Sequence, residues 1–265
     1  MTSRRLFLKQ SVLSGVAMTL PLSVFSTEHA LPKISLAQWS MNRAIKDGSI
    51  KAEDFAAITK RDYGIEAIEF VNGFYADHKS DMAYWADMLR RSENEGVKNL
   101  LIMVDAEGDL GSTAEAERIK AVENHYGWVD IAKKINCHSI RVNAFGTGSR
   151  EKVKTALVDG MGRLAEYGAK AGINILIENH GLYSSEADFV VDMIRQVNNP
   201  YMGTLPDFDA DGNQPRLDYP ALLKAVKATG YNGYIGVEYE GNNLSEPEGI
   251  MATKRLIERV WASLD

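Results

Sequence analysis

The chain has 265 residues, 45% of them hydrophobic and 25% charged, with a net charge of −6. This composition supports one large globular core, and its acidic balance excludes a nucleic-acid surface built from clustered lysine and arginine. The single cysteine, Cys137, excludes an intrachain disulfide and a thiolate zinc cluster, and it reads as a small buried residue at a strand start.

In chain order, Ser3-Arg4-Arg5-Leu6-Phe7-Leu8-Lys9 forms a twin-arginine pattern ahead of an uncharged stretch from Ser11 to Phe25. Residues 1–30 are therefore expected to be a signal peptide that delivers an already folded protein to the periplasm or beyond. The apolar stretch is too short and too rich in Ser and Gly for a membrane span. No cysteine follows it, so no stable membrane anchor is expected. Residues 31–265 read as one domain.

From residue 31 strands and helices alternate. Strand-like runs fall at Ile34–Trp39, Ala67–Val71, Asn99–Val104, Ser139–Asn143, Ile173–Glu178, Met202–Pro206 and Tyr234–Glu238. Helical patterns lie between them at Ala52–Asp62, Met82–Glu95, Ala114–Ile135, Glu151–Ala171, Glu186–Gln196 and Tyr219–Thr229, with a last one from Pro247 to Ala262. Ser184 and Ser185 precede Glu186 as candidate helix caps, and Gly64, Gly96, Gly172 and Gly230 sit where helices should stop. Strict alternation implies a parallel sheet with helices outside it, an α/β fold of TIM-type (β/α) barrel class. A closed barrel wants eight strands and seven are recognisable. The turn-rich stretch Asp209–Pro215 joins the sixth strand almost directly to the next helix, so the barrel is expected to be incomplete.

Three of the apolar runs end in a carboxylate, Glu178, Asp207 and Glu238. Burying a lone charge costs several kcal/mol, so an acid at the end of an apolar strand is rarely a packing choice. On neighbouring parallel strands the three converge at one mouth. Converging carboxylates either hold a hard divalent cation or share protons.

The segments Leu36–Ser40, Ile102–Gly111, Ile177–Gly181, Thr204–Phe208 and Gly236–Gly241 together resemble the sugar phosphate isomerase/epimerase family, which has the xylose-isomerase-like TIM barrel. The resemblance implies one divalent metal (Mn, Mg, Co or Zn) at the C-terminal mouth. Glu178, Asp207 and Glu238 match three of its four ligands. The fourth has no match, and the missing βα unit after Phe208 would have carried it. The resemblance also implies Glu178 and Glu238 as the catalytic pair, base and acid on opposite faces of a small carbohydrate.

Other residues surround this expected mouth. Arg141 and Asn143 end the fourth strand, and either grip substrate hydroxyls or a phosphate or, for Arg141, pair with Glu178. His180 reads as a substrate or second-layer contact, Trp39 as a sugar-stacking or a core residue, and Glu69 as a contact at the end of the second strand. Asp105, Glu107 and Asp109 read mainly as a solvated acidic loop. Asp209-x-Asp211-x-Asn213 reads as a turn, because Pro220 stands where a calcium loop needs its glutamate.

The expected activity is that of an exported, metal-dependent isomerase or epimerase removing a proton next to a carbonyl of an unphosphorylated sugar or keto-sugar. The chain is compatible with a homo-oligomer. A keto-glycoside lyase or hydrolase starts from the same proton removal, and a degenerate carbohydrate-binding barrel would keep the fold without catalysis. Phosphodiester cleavage needs more metals, more histidines and a basic groove.

Overall fold

A computed structural model describes residues 31–207 and 218–264; the twin-arginine segment and the Asp209–Asn213 turn lie outside them. The strands are β1 (Lys33–Ala37), β2 (Ala67–Val71), β3 (Lys98–Val104), β4 (Ser139–Asn143), β5 (Asn174–Glu178), β6 (Met202–Leu205) and β7 (Tyr234–Val237). The helices are α1 (Asn42–Lys46), α2 (Phe55–Tyr63), α3 (Met82–Asn94), α4 (Glu115–Lys134), α5 (Arg150–Ala171), α6 (Ala187–Val197), α7 (Tyr219–Ala228) and α8 (Glu246–Ala262). The expected strands are all present, and β2 and β4 have the expected bounds. The first strand is shorter than expected, because Gln38 and Trp39 turn into a 3-10 segment.

The seven strands form one parallel sheet in the order β6-β5-β4-β3-β2-β1-β7. It curls as a TIM-type barrel does, but no pairing joins β6 to β7 among the described residues. The barrel is therefore incomplete, and its seam falls where the sequence lacks a βα unit. Burial follows this topology. All five residues of β2 are buried, whereas in the edge strands only Met202 of β6 and Val237 of β7 are. A strand buried on both faces needs a continuous apolar run, while an edge strand tolerates exposure.

Alternation along each strand separates two cores. Leu36, Ile68, Phe70, Ile102, Ile140, Val142, Ile175, Ile177 and Val237 face the helices in one large cluster. Inside the sheet, Ala37, Val71, Leu101 and Met103 form a much smaller one, joined by Leu176, Leu205, Trp39 and Phe74. The other inward positions are polar, and they build the site. Cys137 is buried and its thiol is pushed up by burial, as expected of an inert structural cysteine.

Two local expectations are settled by hydrogen bonding. Gly64 and Gly172 end α2 and α5 in the left-handed region, at φ 62° and 77°. Ser184 and Ser185 do not cap α6. Ser184 donates to the Gly181 carbonyl and Ser185 accepts from the Gly181 amide, so they close the loop after β5. Among the described residues no helix is long and apolar enough to cross a membrane.

Helix α5 packs so closely on the loop after β3 that a Cβ on Gly160 would lie 2.1 Å from the Leu110 carbonyl oxygen, whereas one on Gly162 would meet nothing within 4 Å. Alanine in a helix is favoured over glycine by about 1 kcal/mol, and overpacking a fixed backbone atom costs about 1–3 kcal/mol. Gly162→Ala is expected to raise unfolding stability and Gly160→Ala to lower it, as read by urea denaturation of the two variants.

Candidate functional site

The C-terminal ends of the strands gather the polar inward residues. Glu178 closes β5 and is only 4% exposed; Arg141, inward on β4, is equally buried. The Arg141 Nε lies 3.1 Å from Glu178 Oε2, although it is not aligned for a hydrogen bond. The attraction is between charges. The same guanidinium donates from Nη1 to Asp105 Oδ1 at 2.6 Å. Asn143 donates to that oxygen at 2.7 Å, and its own Oδ1 accepts from His180 Nδ1 at 2.8 Å. His180 Nδ1 is also 3.7 Å from Glu178 Oε2. Of the two readings of Arg141, the structure shows the ion pair with Glu178.

Sequence reasoning missed the partners of Asp105, which anchors Arg141 and Asn143 while its side chain stays 37% exposed at the mouth. Its neighbour Glu107 is also engaged, accepting from Trp128 Nε1 and pairing with Lys79 Nζ at 2.8 Å. Two asparagines hold the strand ends in register. Asn72 accepts from the Asp105 amide and donates to its carbonyl, both at 2.9 Å. Asn179 does the same for Asp207, at 2.8 and 3.0 Å. The recurring signal is an asparagine just after a strand, with an aspartate just after the next strand but for the intervening helix.

Glu238 follows β7 and faces the same cavity as Glu178 and Asp207, a space of about 880 Å³. Burial raises the Glu238 carboxyl well above the usual range, and the nearby Glu178 charge adds to this against the pull of Arg141. Burial also raises Glu178, with Arg141 and then His180 opposing it and Asp207 and Asp105 adding to it. The two glutamates are therefore within electrostatic reach of each other.

Glu69 lines the same cavity as the two glutamates, whereas Trp39 is not among the residues around it. Glu69 lies mid-strand in β2, beneath Glu238, where its Oε1 accepts from Ser35 Oγ at 2.6 Å. Gly236 makes room for it, since a Cβ there would lie 3.0 Å from Oε1. Burial raises the Glu69 carboxyl. Trp39 stacks near Phe74 at 6.0 Å between ring centroids, and Lys46 Nζ covers it at 4.1 Å. Lys46 thus covers one face of its ring.

The three expected metal ligands share a cavity without sharing a centre. Among the described residues no three His, Cys, Asp or Glu side chains are grouped as ligands of one ion. Glu178 already has an arginine beside it, and the βα unit missing after Phe208 brings in no fourth ligand. Among the described residues the side chains do not fit the implied metal.

The family model for the xylose isomerase-like TIM barrel matches residues 59–210, and the chain belongs to that family. No curated protein matches it in sequence. Among solved structures, it is similar to the IolI protein with a bound zinc atom, at 15% identity and a TM-score of 0.71 over 88% of this chain and 99% of that one. It is similar to an L-ribulose 3-epimerase at 14% identity and 0.67, over 88% and 96%. It is also similar to the 3-keto-D-glucoside 4-epimerase YcjR from E. coli at 13% identity and 0.63, over 86% and 99%. At these identities the likeness shows the barrel fold.

The raised carboxyl of Glu238 has a consequence for stability. A carboxyl held above its unfolded value, about 4.3, favours the folded state at acid pH. That contribution is lost as pH rises through the folded value. Glu238→Gln removes the dependence. Its unfolding temperature is expected to match the parent near pH 4 and to exceed it by a few degrees at pH 8, each kcal/mol being worth about 2–4 °C in a domain of this size. Thermal unfolding across that pH range checks it.

Proposed function

We propose that this protein is a sugar isomerase or epimerase that moves a proton at the carbon next to a carbonyl of a carbohydrate or keto-sugar. One observation carries the reading: two glutamates face one cavity with unequal partners. Glu178 has Arg141 at 3.1 Å, whereas no cation is paired with Glu238 among the described residues. Two carboxyls whose surroundings push them apart divide into a base and an acid.

In this reading Glu178, with Arg141 beside it, removes the α-proton. The electron pair of the broken C–H bond moves onto the carbonyl oxygen, where the Glu238 proton meets the developing charge. Returning a proton to the opposite face of the same carbon epimerises it. Returning one to the former carbonyl carbon, with loss of the hydroxyl proton from its neighbour, isomerises an aldose and a ketose. Asn143 and His180 stand at the rim, where substrate hydroxyls would lie. The family membership supports a carbohydrate substrate, as does the likeness to epimerases. Arg4 and Arg5 in the leader-like residues 1–30 support an exported protein whose substrate is unphosphorylated.

Exchange of deuterium from solvent into the α-position of a keto-sugar tests the reading. Glu178→Gln and Glu238→Gln are each expected to slow it by about 10²–10⁴-fold; unchanged exchange in either variant would remove that residue from the chemistry. No step passes through a divalent ion, because Glu178, Asp207 and Glu238 are not gathered around one. Elemental analysis of the purified mature protein is accordingly expected to find Mn, Mg, Co and Zn below one equivalent.

A further inference from the structure

In a closed barrel of this class the interior is filled by layers of side chains. Here, among the described residues, the sheet stays open between β6 and β7 and a cavity lies on that side. The cavity of about 880 Å³ begins at Glu178, Asp207 and Glu238 and runs down inside the sheet to His138 and Asn174 at the opposite ends of β4 and β5. Its walls below the carboxylates are largely apolar. Leu101, Met103 and Leu205 line the barrel side, and Leu223, Val226 and Ile235 line the side of α7 and β7.

Sugar hydroxyls find partners at the mouth, and polar side chains return at the far end, at His138, Asn174 and Asn232. In the apolar stretch between them a hydroxyl buried without a partner costs about 1–3 kcal/mol, and that stretch suits a group that needs no hydrogen bonds. Glu69 is the acidic group on that wall, and it is buried on Ser35 Oγ, with Arg141 the cation nearest to it in effect. A monosaccharide at the carboxylates leaves most of the space empty.

We propose that the substrate is a hexoside whose sugar ring carries a keto group away from the anomeric carbon and whose anomeric oxygen bears an uncharged apolar substituent, alkyl or aryl, with the sugar at the carboxylates and the substituent in the open seam. This rests on the function proposed above and adds the substrate class to it. The seam is then a binding feature, not merely a place where the barrel fails to close.

The test compares the methyl and phenyl glycosides of one hexose oxidised to a ketone at a ring carbon other than the anomeric one, by calorimetric titration of the full mature protein. The phenyl glycoside is expected to bind at least about tenfold more tightly. Val226→Trp, which fills the seam from α7, is expected to abolish that preference. Val226→Asp should reduce the preference without filling the space. Equal affinities in the parent protein, or a preference that survives both variants, would overturn the inference. A second copy covering the seam would show as a dimer in sedimentation together with equal affinities, which also overturns it. Failure of solvent exchange with both glycosides would count against the proposed reaction alone, because the binding comparison does not depend on turnover.

Discussion

The buried pair of Glu178 and Arg141 sets the terms for the whole mouth. A carboxylate only 4% exposed on a parallel strand would take up a proton if left alone, since desolvation penalises its charge. Arg141 offsets that penalty from the neighbouring strand, its Nε 3.1 Å away. A buried guanidinium brings a penalty of its own, which the hydrogen bond to Asp105 offsets in turn. Asp105 is useful only if its backbone is fixed, and Asn72 fixes it with two bonds across 33 residues of chain. Each charge is thus held by an element that the barrel topology places beside it, and none is held by its own loop.

This arrangement makes the two glutamates unlike each other although they sit in corresponding places. Glu178 lies between an arginine and a histidine. Glu238 follows an edge strand, and Glu178 and Glu240 both act to hold its proton on. The difference comes from topology. β5 has paired strands on both sides, one of them carrying Arg141, while β7 pairs only with β1. The inward residues that β1 offers are Ser35 and Ala37, and neither carries a charge. The two carboxyls are therefore distinguished by which strands lie next to them.

Much of this was legible in the sequence, for a physical reason. A parallel strand covered on both faces is a mostly apolar run, which bounds β2 and β4 even though Glu69 and Arg141 interrupt them, and a carboxylate that ends such a run, as Glu178, Asp207 and Glu238 do, stands out. The five-residue α1 was missed because it is too short to show a helical period. The pairing of Asp105 with Arg141 was not legible because an acid in a loop looks the same whether or not an arginine 36 residues away reaches it. Asn72 and Asn179 were missed for the same reason: each resembles an ordinary turn residue, and its partner lies 28 or 33 residues further on. The serines after Gly181 had the composition of a cap but were taken by a nearer backbone.

The missing βα unit has two effects that belong together. It removes the strand that should supply the fourth metal ligand, and it leaves the inner face of the sheet uncovered between β6 and β7. A carboxylate trio without its fourth member must find positive charge elsewhere or keep a proton, and Arg141 beside Glu178 with a raised Glu238 does both. The uncovered face cannot be filled by the small inner cluster of Ala37, Val71, Leu101 and Met103, which reaches only part of the way across. What is left is a space continuous with the carboxylates and lined by the residues a seventh unit would have covered. The same gap thus alters the electrostatics at the top of the barrel and the shape of what can lie beneath it.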